Sequence, residues 1–243
     1  MEYPPISINM PIYNRSKWLN LITFNLKNFD YPKDKLELVI LDDSDTDPLF
    51  KNVPLEMFQR VVAPIKVKYL RDQNKKTIGA KRNILCKNSS NNIIACMDSD
   101  DIYFPSYLKY AVSELKKNKV GAVGSPEMIF AYPHADWLMT GIKCLSNRQI
   151  HEATLVYTKK HFKAMGGFAK EGTGEGAKMF DGMSEKLVKQ IDCDKCMICV
   201  CHNDNTCDKE RFKEGGGKLD GELNPKIKAI VEDILCVGTK KFN

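Results

Sequence analysis

Short apolar runs and amphipathic stretches alternate along the first half of the chain. Ile6-Ser7-Ile8-Asn9-Met10 has the period of a strand, and Ser16 stands where it caps a helix carrying Trp18, Leu19, Ile22, Phe24, Leu26 and Phe29 close to helical spacing. Leu36 to Leu41 reads as a second strand that runs into Asp42-Asp43-Ser44-Asp45. The pattern then predicts a short helix over 48–59, a strand over 65–70, a helix over 79–87 and a strand from Ile93. A helix from Pro105 to Lys117 and a strand over 120–124 follow. Strands alternating with helices of this length predict βαβ units and a mostly parallel sheet, an α/β protein.

The second half is less regular. It predicts a strand over 153–157, a short helix over 159–165, a helix over 177–189, a strand over 196–201 and an amphipathic closing helix over 225–235 with Ile227, Ile230, Val231 and Ile234 inward. Gly172, Gly174 and Gly176 crowd one segment, as in loops that approach a ligand closely.

Composition narrows the classes. The chain has 243 residues, 43% of them hydrophobic, enough for one substantial domain. No apolar run approaches the roughly 20 residues that span a bilayer. No basic region followed by an apolar core opens the chain, so neither a secretory leader nor a transmembrane segment is expected. The charge of +6 is spread along the chain without a dense basic tract, so no nucleic-acid partner is expected, whereas a phosphate-bearing small ligand suits the sign. Nine cysteines are expected to be free thiols in a reducing, cytoplasmic compartment.

The chemistry lies at the strand ends. Ile93-Ile94-Ala95-Cys96-Met97 runs into Asp98-Ser99-Asp100-Asp101, three carboxylates within four residues. Such charges repel unless a cation sits among them, and Mg²⁺ or Mn²⁺ takes oxygen ligands together with a substrate's phosphates. A solvated acidic turn is the plainer reading. In a right-handed parallel sheet the ends of the first, second and fourth strands share one edge, so Pro11-Ile12-Tyr13-Asn14-Arg15 and Asp42-Asp43-Ser44-Asp45 converge there too.

Pro11-x-Tyr13-Asn14-Arg15, Asp42-Asp43-Ser44-x-x-Asp47, Gly79-Ala80-x-Arg82-Asn83 and Asp98-Ser99-Asp100-Asp101, in that order, resemble the family 2 glycosyltransferases. The likeness continues through Gly166-Gly167-Phe168 and Gly174-Glu175-Gly176 and covers roughly residues 5–205. It implies a GT-A fold, a Rossmann-like central sheet with a smaller acceptor-side part. The donor-binding half would be 1–125, the acceptor side 126–207, and 208–243 a C-terminal extension with a closing helix. It also implies an inverting, Mn²⁺- or Mg²⁺-dependent hexosyl transfer (EC 2.4) from a nucleotide-diphosphate sugar, UDP-linked by preference, to a hydroxyl of a glycan or protein-glycan acceptor. By resemblance Pro11, Tyr13, Asn14, Arg15, Asp43, Arg82, Asp98 and Ser99 bind the donor, with Asp43 on the base edge and Arg82 holding the nucleotide or ordering the acidic loop. Asp100 ligates the metal, Asp98 binds ribose or the metal's water shell, and His202 reaches metal or diphosphate. Glu175 is the implied base. The family's usual second acid is replaced by Gly176, which makes Asp181 the reserve. Small size and many lysines and asparagines also resemble the short glycosyltransferases of large DNA viruses, which would put the enzyme in host cytoplasm.

Two other classes compete: a nucleotidyltransferase, which would carry a glycine-rich basic loop after the first strand, and a non-catalytic nucleotide-sugar or glycan-binding module, motivated by Gly176. Cys193-x-x-Cys196-x-x-Cys199-x-Cys201-His202 with Cys207 invites a zinc reading against a plainer one of core thiols. Tyr132 and Trp137 are read either as a platform for an acceptor sugar or as packing, and His151 and His161 as packing or surface residues.

Overall fold

The computed structural model describes residues 3–143, 150–170, 174–179, 188–205 and 208–236. In chain order its strands are β1 (Ile6–Ile12), β2 (Leu36–Asp42), β3 (Lys66–Arg71), β4 (Ile93–Cys96), β5 (Ile102–Tyr103), β6 (Ala122–Gly124) and β7 (Glu127–Tyr132). Then come β8 (Leu138–Lys143), β9 (Val156–Thr158), β10 (Val188–Gln190), β11 (Met197–Val200) and β12 (Gly217–Lys218). The helices are α1 (Leu19–Asn28), α2 (Leu55–Val62), α3 (Ile78–Asn88), α4 (Tyr107–Lys117), α5 (Lys159–Ala164), α6 (Arg211–Gly215) and α7 (Pro225–Leu235).

A seven-stranded sheet in the order β10-β6-β9-β4-β1-β2-β3 forms the centre. Every strand in it runs the same way except β9, which is antiparallel to both β4 and β6. All seven residues of β2 are buried, as expected of a parallel strand covered on both faces. Ile6, Ile8 and Met10 of β1 pack with Ile22 and Leu26 of α1 and with Leu108 and Ala111 of α4. Val39 and Leu41 of β2 instead meet Leu85 of α3. The α/β architecture with a mostly parallel sheet is therefore present.

A second sheet, β12-β8-β7-β11-β5, lies over the far half. The hairpin of β7 and β8 turns at Pro133–Ala135 with Asp136 and Trp137 left-handed. That hairpin was not anticipated, nor was the two-residue β5. The closing helix α7 covers this sheet, where Ile227 and Val231 are buried with Trp18, Leu21 and Trp137. No helix among the described residues is long and apolar enough to cross a membrane.

Three boundaries differ from the sequence pattern. The helix expected over 48–59 starts only at Leu55, because Pro54 fits the position before a helix and not its interior. The strand expected from Ala153 begins at Val156, after a 3-10 turn over Glu152–Thr154. At the ends described, the helix expected over 177–189 is absent: Ala177–Met179 is a 3-10 turn and Val188–Gln190 is β10, paired in parallel with β6. There the open edge of the sheet outweighs local helix preference.

Candidate functional site

β1 and β2 end in register, Ile12 beside Asp42, and Asn9 of β1 faces Cys96 at the end of β4. The three loops that follow share one rim. Asn14 stands at a φ of 53°, a left-handed conformation that asparagine tolerates. From there its N–H donates to Ser44 Oγ at 2.6 Å and its side-chain amide donates to Asp45 at 2.8 Å. Asp45 also accepts from the Tyr13 hydroxyl at 3.0 Å. These bonds, Asn14 first, hold the Asp45 carboxyl down at about 2. Tyr13 is flanked by cations, with Lys75 Nζ 3.9 Å and Lys81 Nζ 5.6 Å from the ring centre. Half-buried Pro11 lies opposite Leu41 in the strand register, and Ser99 is buried in the acidic loop.

Asp43 is buried, and both of its oxygens are engaged. One pairs with Lys81 Nζ, and the other accepts the Lys76 N–H at 2.6 Å. Lys81 also donates to the carbonyl of Ile12 at 2.9 Å, tying α3 to the end of β1. Burial pulls the Lys81 ammonium below its usual range, with Asp43 opposing.

The acidic loop splays its three carboxylates. Asp98 Oδ1 lies 3.2 Å from Arg82 Nη2. Asp100 Oδ2 lies 3.1 Å from His202 Nε2 and 3.4 Å from Arg15 Nη2. Asp101 turns toward the second sheet, where Oδ1 accepts the Val200 N–H at 3.1 Å. Burial acts to raise the Asp100 carboxyl, but the bond from His202 and the charge of Arg15 outweigh it and hold it at about 2. Burial drives Asp101 well above the carboxylate range, with Cys199 adding to the shift. His202 Nδ1 accepts the Asp204 N–H at 3.2 Å, and Nε2 lies 3.1 Å from Asp100 Oδ2 and 2.9 Å from Asn205 Nδ2. Its ring packs on Trp18, centroids 4.7 Å apart.

Arg82 links this loop to a segment far along the chain. Thr77 caps α3 and accepts from the Ala80 N–H, so Arg82 lies one turn into the helix, fully buried. Its Nε donates to Glu175 Oε1 at 2.8 Å. Asn83 accepts from the Phe168 N–H and donates to the Phe168 carbonyl, both at 2.9 Å. Burial, its largest influence, pushes the Glu175 carboxyl up, with Arg82 opposing. Asp181 lies outside the described residues.

The geometry therefore gathers Tyr13, Asn14, Arg15, Asp43, Arg82, Asp98, Asp100, Glu175 and His202 around one rim. The family model for glycosyl transferase family 2 matches residues 7–174. The chain belongs to glycosyl transferase family 2. It is 32% identical over 122 residues to a "Probable glucomannan 4-beta-mannosyltransferase 7" of Oryza sativa subsp. japonica, spanning 48% of this chain and 21% of that one. It is 28% identical over 163 residues to the poly(ribitol-phosphate) beta-N-acetylglucosaminyltransferase TarS of Staphylococcus aureus strain MW2, spanning 62% and 28%. The chain thus matches less than a third of the length of either relative.

Among solved structures it resembles the mannosyltransferase PcManGT of Pyrobaculum calidifontis in complex with GDP-Man and Mn²⁺ (TM-score 0.64, 16% identity, 96% of this chain and 69% of that one). It also resembles S. aureus TarS residues 1–349 in complex with UDP (TM-score 0.61, 16% identity, 95% and 70%). These likenesses establish the fold, the GT-A type expected from the sequence.

Within this family 2 chain, no group of three or more His, Cys, Asp or Glu side chains among the described residues forms a ready metal cage. This applies to the acidic loop and to the thiols alike. Cys193, Cys196, Cys199 and Cys201 are free and buried, and Cys144 and Cys207 lie outside the described residues. Tyr132 and Trp137 serve as packing: Tyr132 donates to the Lys209 carbonyl at 3.0 Å and Trp137 Nε1 to Glu232 at 2.7 Å. Two residues at the site, Tyr103 and Glu152, had drawn no attention in the sequence, whereas Lys81 belongs to the basic helix start Lys81-Arg82-Asn83 that suits phosphates. Lys81 neutralises Asp43, Tyr103 accepts the Asp98 N–H at 2.8 Å, and Glu152 accepts the Gly176 N–H at 3.0 Å. The lysine had a local signal, a cation one position before Arg82 on a helix at the rim. The other two act through contacts that only the folded chain creates.

Proposed function

We propose that this chain transfers a glycosyl group from a nucleotide-diphosphate sugar to an acceptor hydroxyl, with inversion at the anomeric carbon. The reading rests above all on one arrangement, the acidic loop held between Arg82 on one side and Arg15 with His202 on the other. A uridine diphosphate donor is favoured because TarS, a sequence relative, has been captured with UDP and with UDP-GlcNAc. PcManGT, captured with GDP-Man and Mn²⁺, makes GDP donors the next to test.

The donor set suits a divalent cation. Asp100 Oδ2 and His202 Nε2 converge within 3.1 Å, a hard oxygen and an imidazole nitrogen that Mn²⁺ accepts together with phosphate oxygens and water. Asp100 and His202 would hold it, and when bound it would neutralise charge gathering on the diphosphate as the glycosidic bond breaks. The ring of Tyr13, fixed by Asp45 and flanked by Lys75, offers a face to the nucleoside base. Asp43, already neutralised by Lys81, would shape the base pocket and offer its remaining lone pairs to the base edge. Asp98 would meet the ribose, and Arg82 would keep Asp98 and Glu175 in fixed positions while the sugar is transferred. The buried free thiols of Cys86, Cys96, Cys193, Cys196, Cys199 and Cys201 suit a reducing compartment, the cytoplasm. Kinship with viral enzymes rests on size and composition alone.

A thermal-shift screen of UDP- and GDP-sugars with and without Mn²⁺ tests the reading. A Mn²⁺-dependent rise in melting temperature with one nucleotide series, followed by release of that nucleoside diphosphate, is expected. A screen without any stabilised combination would count against it.

A further inference from the structure

Glycine at 176 leaves room that another side chain fills. A Cβ built on Gly176 would lie 2.5 Å from Glu152 Oε1 and 2.6 Å from Glu152 Cγ. The carboxyl group of Glu152 therefore occupies the space where a side chain at 176 would start, and its Oε1 accepts the Gly176 N–H at 3.0 Å. The acid that fills this space lies 24 positions earlier in the chain.

The turn that carries Glu152 is tied to the donor side. Tyr103 Oη accepts the Asp98 N–H at 2.8 Å and donates to the Ala153 carbonyl at 3.1 Å, so one hydroxyl joins the acidic loop to the residue after Glu152. The Cys96 N–H donates to the Leu155 carbonyl at 2.8 Å, fixing the other end of the turn to the end of β4. Burial pushes the Cys96 thiol up to about 12, with Arg82 opposing and the nearby acids Asp98, Glu175 and Glu152 adding to the rise.

The two glutamates differ in what holds them. Glu175 has Arg82 as a counter-ion at 2.8 Å. Among the described residues Glu152 has no ion pair, and its Oε1 accepts the neutral Gly176 N–H. Glu175 is buried and its Oε1 is committed to Arg82, which places it to anchor the guanidinium and not to meet an acceptor hydroxyl. Glu152 is only half-buried, so an acceptor hydroxyl can reach its carboxylate.

We propose that Glu152 is the general base of the transfer reaction, placed by Gly176 and by the Tyr103 bridge, and that Glu175 is the structural acid that anchors Arg82. This rests on the glycosyl-transfer reading above. In the step, the acceptor O–H proton passes to a Glu152 carboxylate oxygen as the acceptor oxygen bonds to the anomeric carbon. The bond from that carbon to the diphosphate oxygen breaks, and its electron pair leaves with the nucleoside diphosphate.

The test follows nucleoside diphosphate release with water as acceptor, using UDP-glucose, UDP-GlcNAc and GDP-mannose with Mn²⁺. Donor affinity is measured separately by calorimetry. Glu152→Gln keeps an oxygen for the Gly176 N–H, so it is expected to fold and to bind donor as the wild type does while kcat falls about 10²–10⁴-fold. Recovery of kcat when Gly176→Asp is added to Glu152→Ala would support the assignment, because the carboxylate then returns to the same space from the other segment. Near-wild-type kcat in Glu152→Gln would overturn it while leaving the transfer reading intact. A wild-type protein that neither binds nor cleaves any of these donors would overturn the transfer reading itself.

Discussion

Arg82 holds two acids at once: its Nε lies 2.8 Å from Glu175 Oε1 and its Nη2 lies 3.2 Å from Asp98 Oδ1. The guanidinium is buried in α3, and the two carboxylates come from segments on either side of the site. Removing one partner of such a buried pair leaves charge without compensation, at a cost of roughly 3–5 kcal/mol. Arg82→Met is therefore expected to lower the urea midpoint sharply. Arg82→Lys is expected to recover only part of the loss, since one ammonium cannot reproduce two directed bonds. Equilibrium denaturation of both variants checks this.

Asp100 and His202 make the other prediction about the rim. Asp100→Asn keeps the shape of the side chain but weakens the oxygen donor that faces His202. Mn²⁺-dependent donor binding is expected to fall by at least about tenfold, because even neighbours of a metal ligand cost that much when changed. Metal-independent nucleotide binding around Tyr13 should persist. Calorimetry with UDP, with and without Mn²⁺, separates the two.

The parallel half of the fold was legible because each apolar run there ends abruptly in polar residues, and adjacent runs pair in the parallel order. That is why Asn14, Asp43 and Asp98 could be brought to one rim from spacing alone. The second sheet was not legible. Glu127–Tyr132 and Leu138–Lys143 form a hairpin whose turn depends on two left-handed residues, Asp136 and Trp137, that carry no glycine as a marker. Arg82 and Glu175 are 93 residues apart, and Glu152 reaches Gly176 only because β9 enters the sheet antiparallel between β4 and β6. Contacts of that kind belong to topology, and no local pattern encodes them.

Two histidines give stability a pH dependence. Burial first, then the charge of Lys209, pull His151 from its ordinary 6.5 down to about 4, with a bond involving Pro126 opposing. Burial also lowers His161, whose Nε2 meets the Met179 carbonyl at 3.0 Å. Below 6.5 the unfolded chain takes up protons that the folded rings refuse, so stability falls as pH drops from 6.5 towards about 4. Glu175 works the other way, because its raised carboxyl binds a proton more readily in the folded state. The expected result is a urea midpoint lower at about pH 5 than at about pH 7. In the His151→Gln/His161→Gln double variant, with Glu175 unchanged, the fall should be shallower. Equal slopes in the two proteins would exclude the histidines as its source.

Gly79 decides how closely α3 approaches the loop that carries Glu175. A Cβ there would lie 1.7 Å from the Ala169 carbonyl oxygen and 3.0 Å from the Glu175 Cβ. The first obstacle is backbone, so it cannot swing aside as the tip of a side chain would. The Ala169 N–H donates to the Glu175 carbonyl at 3.1 Å, so pushing Ala169 away draws Glu175 off Arg82 as well. Gly79→Ala is expected to destabilise the fold by roughly 1–3 kcal/mol, the range for overpacking a close contact. Transfer should fall with it, while UDP affinity at the Tyr13 side changes little. Gly215→Ala is the control, since nothing lies within 4 Å of the added methyl and the residue sits at a helix end. Melting curves and UDP calorimetry on both variants separate a local wedge at residue 79 from a general loss of structure.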